Sequence, residues 1–247
     1  MLEQLPYCGS APNPAELLAR FNLDPILITT LVLIAGAHLA SVRASVDKSR
    51  AAAGWFVAAA AFISPLCALS VALFSARIAQ HMILILLAAP LIASARPVNV
   101  RQSRPTTLWA AVAVFCVSLW LWHMPVPYDA TFRSTALYWL MHTSIFGSAI
   151  LLWHELLHHR HDRIVAVLGA GAITSIQMGL LGAVLAFASH PLFLAHLTTT
   201  GVWGLTPLRD QQLGGIFMWV PGIAAFLWTA MRSLSRVWTN LERVKAT

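Results

Sequence analysis

Seven long apolar runs follow one another down this chain, at about residues 24–42, 52–75, 76–95, 107–123, 135–156, 164–188 and 213–231. About 20 mostly apolar residues span the hydrocarbon core of a bilayer as a helix, since a helix satisfies its own backbone groups where water is absent. So many runs in 247 residues leave no room for a sizeable soluble domain. The composition agrees: 58% is hydrophobic and 10% charged, against about 25% charged in ordinary soluble domains. The sequence therefore predicts an all-α, polytopic membrane bundle of seven transmembrane helices. It divides into residues 1–23, a transmembrane domain over 24–231 and a basic tail over 232–247. The second and third runs are nearly continuous, and the division is expected at Ser75–Arg77. One long span followed by a short re-entrant piece is the alternative there.

The net charge of +7 reads as membrane-facing rather than nucleic-acid-binding, because Lys and Arg collect in cytoplasmic loops beside anionic lipid. Arg43, Lys48, Arg50, Arg96, Arg101, Arg104, Arg160, Arg163, Arg232, Arg236, Arg243 and Lys245 fall in odd-numbered loops and the tail. Only Arg20, Arg77, Arg133 and Arg209 fall on the other side. The expected topology is thus N-terminus outside and C-terminus cytoplasmic, with residues 1–23 extracytoplasmic. That polar start lacks a basic region ahead of an apolar one, so no cleavable signal peptide is expected. Cys8, Cys67 and Cys116 are widely separated, with no CxxC pair to signal a thiolate cluster or a redox dithiol. Cys67 and Cys116, in apolar runs, read as small core residues.

This topology sorts the polar residues by depth. The stretch WLWHMPVPYD (Trp120–Asp129) ends the fourth run with His123 and Met124. At a similar level lie His81 and Met82, Met141 and His142, Gln177 and Met178, then Asp210 and Met218. Polar side chains in a membrane interior are costly and face the bundle interior or a wet cavity. Taken singly, each His reads as an interhelical hydrogen-bond partner and each Met as core filler. Taken together, imidazole and thioether ligands with few carboxylates suit copper better than calcium or magnesium. Adjacent residues on a helix point about 100° apart, so the members of a His–Met pair need not share a site. The candidate metal set is His81, His123, His142, Met82, Met124, Met178 and Asp210. Pro65, Pro90 and Pro221 inside apolar runs suggest kinks, and Gly179, Gly182, Gly214, Gly215 and Gly222 favour close helix contact.

A second histidine-rich motif is HELLHHRHD, His154–Asp162. HExxH on a helix is the zinc-protease pattern, two His one turn apart with a Glu base. A zinc-dependent membrane hydrolase using His154, Glu155 and His158 is therefore one reading, and His158, His159 and His161 add ligand density. Adventitious or regulatory metal binding is another, and a plain solvated helix end is another again, since this topology places the motif at the cytoplasmic end of the fifth helix. A haem-binding bundle with His pairs as axial ligands is a further possibility for the chain.

Several stretches resemble the CtaG family of caa3-type cytochrome c oxidase assembly proteins. They are QHMILILLAAPLI (Gln80–Ile92), WHMPVPYDATF (Trp122–Phe132), GLLGAVLAFASHPLF (Gly179–Phe193) and RDQQLGGIFMWVPG (Arg209–Gly222), in family order from about Ser64 to Trp228. The resemblance implies a non-enzymatic, multi-pass protein of the bacterial inner (plasma) membrane that assists copper delivery to, or maturation of, the oxidase catalytic subunit. Its implied partners are that subunit or its copper chaperones, together with the lipid bilayer, and no nucleic acid. Copper is the implied metal. Two positions depart from the family pattern: Arg77 stands where relatives commonly carry a His one turn before His81, and Gln177 lies where many have a nearby His.

Overall fold

The computed structural model describes residues 5–95, 105–158 and 163–245. The basic residues Arg96, Arg101, Arg104 and Arg160, with His159 and His161, lie outside the described residues. Helices make up the fold, and no strand occurs among the described residues. In chain order they are α1 (Pro25–Ser41), α2 (Ser45–Ile63), α3 (Leu66–Ala72), α4 (Phe74–Ile83), α5 (Ala89–Ser94), α6 (Pro105–Trp122), α7 (Pro125–Ala130), α8 (Thr135–Leu157), α9 (Ile164–Ala186) and α10 (Pro207–Lys245). A π turn, Leu84–Ala88, joins α4 to α5.

Each of the seven apolar runs coincides with helix. Among the described residues three helices are long and apolar enough to cross a bilayer: Phe74–Ser94, Thr135–Leu157 and Ile164–Ala186. A fourth span results if α2 and α3, bent by 47°, count as one. α1 and α6 are apolar but shorter. α10 runs past the expected end of the seventh span to Lys245, with Pro221 inside it. Lys48 and Arg50, expected in the first loop, lie in the opening turns of α2.

The division between the second and third runs falls earlier than the sequence suggests, and it is double. Ser64 is extended (φ −67°, ψ 169°) in front of Pro65, as the proline ring requires of its predecessor, and α2 stops there. α3 then ends at Leu73, also extended (φ −127°, ψ 131°), with neither proline nor glycine to enforce it. The cause lies 136 positions away. Asp210 Oδ2 accepts the Phe74 amide at 2.6 Å, while Oδ1 accepts the Ser75 amide at 3.1 Å and the Ser75 hydroxyl at 2.5 Å. Leu73 has no side chain able to cap α4, so a carboxylate from α10 does it and faces the positive end of the helix dipole.

The π turn has a similar logic. With i→i+5 bonding, the Ile85 carbonyl would look to the amide of residue 90, which is proline and has no hydrogen to give. The Trp153 indole Nε1 donates to Ile85 O at 2.7 Å instead. Trp153 in turn stacks on Phe226 of α10, with ring centres 5.4 Å apart. α10 lies along both α9 and α4. A Cβ added at Gly215 would stand 2.6 Å from the backbone of Gly182 and Ala186, so only glycine permits this α9–α10 approach.

Replacing Asp210 with Ala leaves two helix-start amides and a buried hydroxyl without an acceptor. The fold should lose about 3 kcal/mol, measured by denaturant unfolding in mild detergent. A loss below about 0.5 kcal/mol would show that the carboxylate does not hold the start of α4.

Candidate metal centre

α4, α6 and α8 bring three histidines together. His81 sits in the last turn of α4, His123 just past the end of α6 and His142 two turns into α8. They are 0%, 3% and 2% exposed. The His81 ring centre is 5.4 Å from that of His123 and 5.1 Å from that of His142, both edge to face.

The hydrogen bonds fix two tautomers. His123 Nδ1 lies 2.6 Å from Leu119 O, and His142 Nδ1 lies 3.0 Å from Tyr138 O. A carbonyl only accepts, so each Nδ1 carries the proton and each Nε2 a bare lone pair. Among the described residues neither Nε2 has a partner, and neither nitrogen of His81 does. A buried polar atom left without a bond costs about 1–3 kcal/mol, so this is a costly arrangement for mere core packing. The donors are not converged: among the described residues no group of three His, Cys, Asp or Glu side chains surrounds a common point as a closed metal site would. Binding an ion here requires the rings to rotate toward one another.

The other sequence-predicted ligands are placed differently. Asp210 is engaged at the start of α4, two turns before His81. Met178 is fully buried with its sulfur against Gly222 of α10. Met82 lines a groove with Ile83, Phe217 and Pro221, and Met124 is 49% exposed. Gln177 accepts from Trp120 Nε1 at 3.2 Å and ties α9 to α6. In the HELLH motif, His158 Nε2 donates to Ala93 O at 2.8 Å, and the His154 and His158 rings lie 4.9 Å apart.

The surroundings of the triad contain residues the sequence reading did not connect. Tyr138 packs against His142 with ring centres 4.2 Å apart, and Tyr7 stacks on Tyr138 at 4.8 Å. Cys8 and Cys67 form a disulfide (Cα–Cα 5.5 Å) whose sulfurs lie 3.4 and 3.8 Å from the Tyr138 hydroxyl. Cys67 is thus no plain core residue. The expected topology held the available signal, since it puts the N-terminal segment and the end of the second run on one side. Arg77, one turn before His81, is buried and donates to Thr131 Oγ1 at 2.9 Å. Next to it, the Tyr128 hydroxyl and His196 Nε2 are bonded at 2.7 Å.

Together these features define an all-helical membrane protein with a buried imidazole cluster at one end of its bundle. The chain belongs to the cytochrome c oxidase caa3 assembly factor family, whose model matches residues 34–240. No curated protein and no solved structure matches the chain.

The disulfide closes a loop across 59 positions. Converting both cysteines to serine should lower stability by about 4 kcal/mol in the chain-entropy picture, read as a drop in thermal midpoint that reductant reproduces in the parent chain and leaves unchanged in the variant. His196 supplies a pH dependence. Burial holds its imidazole down to about 3, and the Arg77 charge acts in the same direction. The folded state therefore favours neutral His196. Its contribution is complete above about pH 6.5 and is lost as pH falls below that value, by up to about 1.4 kcal/mol per unit. The acid limb of a stability-against-pH curve should flatten in His196→Gln; an unchanged limb would remove His196 as its source.

Proposed function

We propose that this chain is a multi-pass protein of the bacterial inner membrane, its histidine cluster on the outer side, and that it assists maturation of a haem-copper oxidase by receiving and passing on copper. Membership of the assembly-factor family carries the first part of this reading. The observation that carries the second is the set of buried imidazoles whose Nε2 atoms have no partner among the described residues. Neutral imidazole is a good ligand for copper, and copper here is cargo. His123 and His142 are oriented by backbone carbonyls through Nδ1, the arrangement that fixes a ligand's tautomer in metal sites. His81 would be the third ligand. Their unconverged donors suit a carrier, which must release its ion, better than a permanent structural site.

Two observations support the orientation and the seven spans. The basic residues favour one side by twelve to four. The Cys8–Cys67 bond joins two residues on the opposite side, and disulfides persist in the oxidising space outside the cytoplasm. The membrane-hydrolase and haem-binding readings gain no comparable support. His158 holds the Ala93 carbonyl, and the triad's rings touch one another without space for a porphyrin between them.

Cu(I) titration of the purified chain against a chromophoric chelator should give about one ion per chain, falling to near zero when His81, His123 and His142 are all replaced by Ala. Unchanged stoichiometry in that variant would falsify the site. In cells, a deletion strain complemented with His123→Ala should yield oxidase depleted of copper; full metal content would rule out a role for the cluster in delivery.

A further inference from the structure

Arg77 is 1% exposed and forms no ion pair with a carboxylate among the described residues. Its guanidinium is charged at any physiological pH. Its Nη1 bonds Thr131 Oγ1, and its Nε has no partner among the described residues. Ring faces surround it instead: Phe132 at 4.1 Å, Tyr128 at 5.3 Å and Tyr138 at 5.7 Å from Cζ to ring centre. The carboxylates that share Tyr128's surroundings are both turned to backbone amides, Asp129 to Leu194 and Ala195, Asp210 to Phe74 and Ser75. Aromatic faces hold a cation in place without cancelling its charge. The Tyr138 ring that meets Arg77 also lies 4.2 Å from the His142 ring, which puts the guanidinium within about 10 Å of the histidine cluster.

Three neutral imidazoles do not by themselves distinguish copper's two charge states from zinc. Among first-row divalent ions the intrinsic order peaks at Cu(II), above Zn(II). A fixed positive charge nearby does discriminate, because repulsion grows in proportion to the charge of the guest. We propose that Arg77 makes the three-histidine cluster select by charge, admitting a monovalent soft cation such as Cu(I) and disfavouring divalent Zn(II) and Cu(II). This rests on the metal-binding reading above and adds to it the oxidation state of the cargo. At an effective dielectric of about 20 and a separation of about 10 Å, each unit of charge on the guest weakens binding roughly tenfold. A monovalent ion meets that factor once and a divalent ion twice. A carboxylate paired with Arg77 would remove the field, so holding this arginine by ring faces and one neutral hydroxyl keeps its effect at the cluster.

The test compares Ag(I), a redox-inert monovalent soft ion, with Zn(II). Affinities are measured by chelator competition on the purified full chain in detergent, for the parent, R77Q, R77M and R77K. R77Q retains a donor for Thr131, R77M retains a stem against Phe132, and R77K retains the charge. The Zn(II)-to-Ag(I) affinity ratio should rise about tenfold in R77Q and R77M and stay at the parent value in R77K. General loosening of the fold would weaken both ions together and leave the ratio unmoved. Adding the triple His-to-Ala change to R77Q should abolish binding of both ions, which assigns the effect to the cluster. If the parent binds Ag(I) at the histidines and the ratio is the same in R77Q and R77M, charge selection is wrong and the metal site stands. If neither ion binds the parent or the Arg77 variants, the metal site falls and selection falls with it.

Discussion

The Asp210 carboxylate, reaching from α10 to the first amides of α4, sets the geometry of one end of the bundle. It fixes where α4 begins, and so how far along the helix Arg77 and His81 come. Because the same carboxylate belongs to α10, it also locks the last helix to the third apolar run. A surface cap exchanges its bonds with water at small cost. This cap is fully buried, and without it the start of a helix would be left in an apolar interior, where each orphaned donor is costly. The corner at Leu73, the end of α3 and the position of His81 all follow from that one contact.

Around this corner the bundle places its polar groups in layers. The Cys8–Cys67 bond and Tyr7 cover Tyr138, Tyr138 covers His142, and His142 meets His81. Arg77 lies beside the same tyrosine, against Phe132 and Tyr128. Two opposite demands meet here. Unpartnered imidazole lone pairs attract a cation, and an unneutralised guanidinium repels one. Dry, apolar surroundings strengthen both effects relative to water. On the carrier reading proposed above, a cluster balanced in this way would favour binding that is weak enough to reverse.

Much of this was legible in the sequence. Hydropathy located the apolar helical stretches, because apolar composition over about 20 residues is a property of each segment alone. The depth ordering brought His81, His123 and His142 to one level, since it needs only a rise per residue and a side. What remained hidden depends on pairs distant in the chain. Nothing near Ser75 announces that Asp210 will cap it, so sequence alone puts the division of the second and third runs too late and makes Asp210 a candidate ligand. Cys8 and Cys67 carry no mutual spacing signal. Adjacent His and Met looked like paired ligands, yet Met82 and Met124 turn to other surroundings, as a 100° step per residue allows. Arg77 was legible as an obstacle to metal, but not its ring of aromatic faces, which comes from α7, α8 and the turn between them.

The π turn at Leu84–Ala88 bears on how such chains diverge. It takes up one more residue than an α turn, so it acts as an insertion absorbed inside a helix, with no loop to reveal it. Everything before the turn is rotated by about 100° relative to everything after it. α5, beyond the turn, is packed on α2 and α8, and α4, before it, on α10 and α3, so the two halves of this span are held in phase by different neighbours. Loss of a single residue between Leu84 and Ala88 would restore a plain α-helix and change the phase of His81 relative to α5 by about 100°. The hydropathy profile would scarcely register the change. Relatives alike in every apolar run can therefore differ in whether their histidines meet, and helical phase, rather than the presence of a histidine, marks which of them retain the cluster.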